Sequence, residues 1–200
     1  MAFYDPLVNA LSPSKLKSLA NERLSDLIDK EAIRARASLE ELQQRYPSAG
    51  PRELSQRLID SKKQVASMLG GVTGIFGAVT VPVDLIGMVY LQLVLLVEVG
   101  TVFKADFKNE RGKKDVLDLF GYANGIGPVQ RASPKVLGSL AAMVLTKTGL
   151  KAIGRAMPLV AAPISAYLNN QHIQRVGDSA IRHYDGWVHA HEKSKKASGS

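Results

Sequence analysis

Two acids and an amide stand in a stretch of the chain that otherwise carries no charge. Residues 65–103 contain only Asp84 and Glu98 as charged groups, with Gln92 between them. A carboxylate in such surroundings costs several kcal/mol if it is buried unpaired. Each acid therefore needs a basic partner, a helix terminus or water. Asp84 follows Pro82 at an expected helix start, where it can cap free N–H groups at the positive end of the dipole or meet a basic group from the C-terminal half. Glu98 falls fourteen residues later. On a helix that is about 21 Å away, too far for the two to act as a catalytic pair. Gln92 needs partners for its amide, and Asn169 is the expected one.

The basic candidates lie further on. Lys151 and Arg155 share one helix face at i, i+4, and Arg175 and Arg182, seven apart, share another. Such ridges can hold lipid phosphates or pair with Asp84, Glu98 and Asp178. His183, His189 and His191 cluster near the C-terminus, but His189 and His191 point to different faces of a helix, so no metal site is expected. The sequence has no HExxH, GxSxG or GxxxxGK[ST] signature. Gly121 to Gly127 is glycine-rich but follows no strand, so it does not read as a dinucleotide loop. No catalytic residue and no cofactor are expected.

The elements that must position these groups are helical. The apolar stretch is cut by Pro82 and Asp84 into two arms. Gly70, Gly71, Gly74 and Gly77 line the first, and Leu and Val dominate the second. The reading is an all-α bundle around a central apolar helical hairpin, at about 65–105, with flanking amphipathic helices. Residues 15–45 carry leucines at helical spacing, with an interruption expected near Ala35. The segment 46–51 stops this helix and restarts the next, which holds Leu54, Leu58 and Ile59 and continues into the glycine-rich arm. Residues 104–114 read as a polar turn. A helix from Asp115 to Phe120 is then ended by Gly121 or by the turn at 125–128. Further helices are expected over 133–148, in a short piece at 149–157, and from Pro163 to His191. The expected organisation is an N-terminal amphipathic arm (1–50), a helical domain (51–192) and a disordered tail (193–200).

Composition narrows the class. The chain has 200 residues, 46% apolar and 22% charged, which suits one domain with a real core. There is no cysteine, hence no disulfide framework. The start of the chain lacks a basic segment followed by an apolar run, so no secretory signal is read there. Charge is unevenly spread. Residues 1–64 hold 11 Lys/Arg against 9 Asp/Glu, while residues 104–200 hold 15 against 7. The net +8 of the second group suits an anionic membrane surface. Aromatics are few and no nucleic-acid recognition motif is present, so no nucleic-acid partner is expected.

Three motifs combine in order. They are the small-residue helix ending in Val-Pro-Val-Asp (81–84) with Gln92 beyond it; Lys151 to Asn169 with Arg155 and Pro158; and Arg175-Val-Gly177-Asp-Ser-Ala180-Ile-Arg182-His-Tyr184. Together they resemble the EcsC family of bacterial proteins, over roughly residues 60–186. Ala161, Ala162 and Pro163 depart from the glycines that the family tends to have there. The resemblance implies a helical, membrane-associated protein, and the family takes its name from a component of an ABC-transporter operon. The expectation is a non-enzymatic protein, cytoplasmic and peripheral to the inner membrane. It would engage anionic lipid or a membrane protein such as an ABC transporter, and could form a homo-oligomer. The candidate contact residues are Asp84, Gln92, Glu98, Lys151, Arg155, Asn169, Arg175 and Arg182. The alternatives are a soluble helical interaction module and, last, a hydrolase-like enzyme using Asp84, Glu98 or His183 in one cavity.

Overall fold

The computed structural model describes residues 13–76, 81–125, 127 and 163–198, and side chains within 22–67, 87–127 and 170–190. Among the described residues there are five helices and no strand: α1 (Pro13–Arg45), α2 (Pro51–Phe76), α3 (Val81–Val102), α4 (Glu110–Ala123) and α5 (Pro163–Ser198). The expected all-α bundle is the observed architecture.

Proline opens three of these helices. At the first helical position its missing N–H costs nothing and its fixed φ suits the helix. α1 buries Leu24, Ile28, Ala32 and Ala35, with Leu39 and Leu42 half-buried beyond them, at steps of three and four residues. No break occurs at Ala35. Alanine favours helix, and here it faces the core. The turn into α2 is held by Tyr46 N–H to the Leu42 carbonyl (2.9 Å) and by the Arg57 guanidinium over the Tyr46 ring (3.6 Å to its centroid).

α2 is cross-linked to both of its long neighbours and runs antiparallel to α5. Lys62 reaches Glu98 of α3. Toward α5, Arg52 pairs with Asp185, Lys63 donates to Gln174, and Ser67 donates to Asn170. Across these three contacts, one partner moves forward along the chain as the other moves back by the same step. This register brings Gly177 against Ile59. A Cβ at position 177 would stand 2.5 Å from Ile59 Cδ1, so only glycine lets the two helices close to this distance.

α3 is the centre. Each residue from Leu91 to Gly100 is buried. Successive residues turn by about 100°, so this burial covers the whole circumference and not one stripe. α1, α2, α4 and α5 all pack against it. Asp84 falls in the first turn of α3, as expected, and the two apolar arms are separate helices; residues 77–80 between them lie outside the described residues. α3 ends in a Schellman motif: Ala105 N–H bonds the Gly100 carbonyl (2.8 Å) and Lys104 N–H the Thr101 carbonyl (3.0 Å). Lys104 takes the left-handed position, φ 61°, which glycine usually holds.

The stretch after α3 departs in part from expectation. The segment 104–114 is not wholly a turn, because α4 begins at Glu110. Asn109 caps it by accepting from Gly112 N–H (2.7 Å), and Asp106 in turn accepts from Asn109 (2.8 Å). Of the two ends expected for α4, Gly121 is not the one used; the helix stops just before the turn at Gly125. Gly121 is buried inside the last turn, and Asn124 forms the C-cap. α5 likewise passes His191 and runs to Ser198, through most of the stretch read as a disordered tail. The helices expected over 133–157 lie outside the described residues. α1 contributes to the same apolar core as the rest of the chain, and Tyr184 of α5 closes that core beneath the α3–α4 loop.

Candidate functional site

Glu98 is 8% exposed, and Lys62 meets it at 2.7 Å. The sequence calls for a basic partner, and α2 supplies it. Counting equally outward from the hairpin break finds the pair, since Lys62 and Glu98 lie at matched distances either side of residue 80. One carboxylate oxygen, Oε2, is buried with no hydrogen-bond partner. Burial raises the Glu98 pKa; the Lys62 ammonium opposes that shift, and the charge of Glu31 adds to it. Glu31, on α1, is itself 5% exposed. It accepts from Arg34 (2.6 Å) and from the Tyr90 hydroxyl (3.1 Å). The result is a polar seam running from α1 across α3 to α2.

Gln92 is buried in a second network, in which its described partner is Asn124. Asn124 Nδ2 donates to Gln92 Oε1 at 2.8 Å, and Asn124 Oδ1 faces His172 Nε2 at 3.1 Å. The C-cap of α4 thus ties α3 to α5. Burial, helped by the nearby Arg175 charge, lowers the His172 pKa and keeps the ring neutral near pH 7. Asn169 lies in α5, but its side chain is outside the described residues, as is that of Asp84. Lys151 and Arg155 fall wholly outside them.

Arg175 and Arg182 are exposed on α5. Arg182 donates to Ser179 (3.1 Å), and Asp178, expected as an ion-pair partner for this set, accepts instead from Gln174 (3.0 Å). The basic ridge of α5 therefore keeps its charge facing water. The buried Lys113 is a group that pattern reading missed. Its ammonium meets Asp29 (2.7 Å) and Ser25 (3.0 Å), pinning α4 to α1. The polar residues around it conceal that it is a core position.

A cavity of about 180 Å³ opens between the α3–α4 loop, the start of α4 and the segment His183 to Trp187 of α5. Phe107, Tyr184 and Trp187 supply aromatic lining; Arg111, Asp115 and His183 supply polar groups. The Tyr184 hydroxyl is buried without a hydrogen-bond partner, and burial together with the Asp115 charge raises its pKa strongly. His183 packs edge-on to Tyr184, with ring centroids 5.0 Å apart. Glu98 does not line this cavity, so the structure does not bring Glu98 and His183 into one site. Among the described residues no group of three or more His, Cys, Asp or Glu side chains could hold a metal. Nor is any described helix long and apolar enough to cross a membrane.

Comparison of the chain with protein families, with characterised proteins and with solved structures finds no match.

Proposed function

We propose that this is a non-enzymatic, EcsC-like helical protein that associates peripherally with anionic membrane lipid, or with a transporter embedded in it. The observation that supports this reading is the enclosure of α3. Over residues 91–100 the most apolar helix is sheathed by protein on every side, so the leucines and valines there serve the core and do not face lipid. Attraction to a membrane then falls to the outer surface. Lys104, Lys108, Arg111, Arg175 and Arg182 are all exposed there, in the part of the chain that carries the +8 excess. Each such cation near an anionic surface contributes about 1 kcal/mol, screened over a Debye length of about 8 Å at physiological salt. The motif order Pro82–Asp84, Gln92, Val176–Gly177 supports the family assignment. Two of its members have clear structural work here: Gln92 in a buried network, and Gly177 at the α2–α5 contact.

A second reading, a helical protein–protein interaction module, draws on Ile33, which is 70% exposed on the outer face of α1. Fractionation separates the two. The untagged protein should sediment with membranes at low salt and leave them in a high-salt or carbonate wash. Recovery in the supernatant at every ionic strength would favour the interaction module. Retention until detergent is added would contradict both, because it would mean that the hairpin inserts.

A further inference from the structure

The cavity beneath the α3–α4 loop holds an unusual pair of charges. Arg111 and Asp115 lie one helical turn apart on α4, and both line it. Opposite charges at this spacing can pair, though the basic residue leading the acid is the weaker order. Here neither forms an ion pair or a hydrogen bond with any described residue, nor with the other. The remaining acid in the lining, Asp106, is already committed to Lys108 N–H (3.0 Å) and to Asn109. The aromatic lining comes from Phe107, Tyr184 and Trp187; the Tyr184 hydroxyl itself is enclosed on the Gly100 side, away from the opening.

We propose that this cavity binds a zwitterionic phospho-ammonium group, a phosphate joined through two carbons to an ammonium. Arg111 takes the phosphate, as a guanidinium matches its oxygens. Asp115 and the aromatic lining take the ammonium, by charge and by attraction to the ring faces. A plain anion would meet Asp115, and a plain cation would meet Arg111; only a ligand bearing both signs uses both residues. One helical turn, about 5.4 Å, matches the scale of that charge separation. The same chemistry is offered by a phospholipid head group and by the free soluble compound. The inference goes beyond the surface electrostatics of the membrane reading and does not need it, since the soluble group is a sufficient probe.

Trp187 is the single tryptophan of the chain and lines the cavity, so its fluorescence reports on this site. The experiment titrates the full-length protein with phosphocholine and with phosphoethanolamine, and in parallel with choline, ethanolamine and inorganic phosphate. At least one zwitterion should give a saturable change at a concentration tenfold or more below any of the single-charge compounds. Asp115→Asn and Arg111→Gln should each weaken it at least tenfold, with helical circular dichroism and melting unchanged. A vesicle arm, neutral phosphatidylcholine or phosphatidylethanolamine at high salt, then identifies the source. A response there marks the lipid head group, and a response to the soluble group alone marks the free compound; both support the site. Three results would overturn it: no saturable change with either zwitterion, inorganic phosphate or an amine binding equally well, or variants that bind as the wild type does.

Discussion

Replacing Lys62 by alanine should cost about 3 kcal/mol or more of stability near neutral pH. Removing one member of a buried ion pair typically costs 3–5 kcal/mol, because the surviving charge is left without compensation. Lys62 is partly open to water, which places the loss toward the lower end; Glu98 is not open, and one of its oxygens already lacks a partner. The loss should also depend on pH. Burial raises the folded-state pKa of Glu98 above 4.5, and Lys62 is what holds it back. A raised carboxylate pKa means that the folded state binds its proton more tightly than the unfolded chain does. The associated stability is present below the unfolded value and lost as pH rises through the folded one. In Lys62→Ala the folded value climbs further, so the deficit should be largest at pH 7 and shrink as pH falls toward 4.5. Replacing both residues by apolar ones, Lys62→Met with Glu98→Leu, should recover wild-type stability or exceed it. Urea denaturation at pH 7 and pH 5 is the check. A single-variant loss under 0.5 kcal/mol, or one that ignores pH, would mean that Glu98 is solvated.

Leu95→Ala and Leu96→Ala should each cost about 2–5 kcal/mol, the range for deleting a buried leucine side chain. Both residues are fully buried, on sides of α3 that differ by about 100°. That pairing gives the comparison its force. A helix with one face on protein and another on lipid would lose much stability at one position and little at the other. A helix enclosed all round loses at both. Ile33→Ala, on the exposed face of α1, should stay within about 0.5 kcal/mol and serves as the control. Denaturant midpoints with an unchanged slope would attribute the differences to the folded state.

The parts of this fold that could be read from the sequence are those set by local rules. Proline at positions 13, 51 and 163, leucine spacing in α1 and the Pro82 break mark helix starts and faces directly. Where the sequence misleads, a local signal competes with a tertiary one. The run from Lys104 to Lys114 is so polar that it resembles a loop, yet Asn109 caps a helix inside it whose buried side includes Lys113. A lysine in a core position leaves no hydrophobic trace. Gly121 looks like a helix stop, but that inference ignores the packing that buries it. Gln92 is recognisably in need of a partner, while Asn124 as that partner depends on how α4 returns across α3. The cavity was the least legible feature. Arg111, Asp115 and Trp187 belong to two distant helices, and nothing in their spacing says that they face one space.

The account rests on α3 being a protein core and not a membrane contact. Hydrogen exchange, followed by mass spectrometry with and without anionic vesicles, tests that most directly. In the absence of lipid, the amides of residues 89–100 should exchange among the slowest in the chain, since all five helices pack into the core that this segment centres. Adding vesicles at low salt should leave those amides unchanged and slow exchange only in the basic segments after residue 103, with the effect removed by salt. Fast exchange of 89–100 in free protein, becoming slow only when vesicles or detergent are added, would place α3 in lipid and contradict the account.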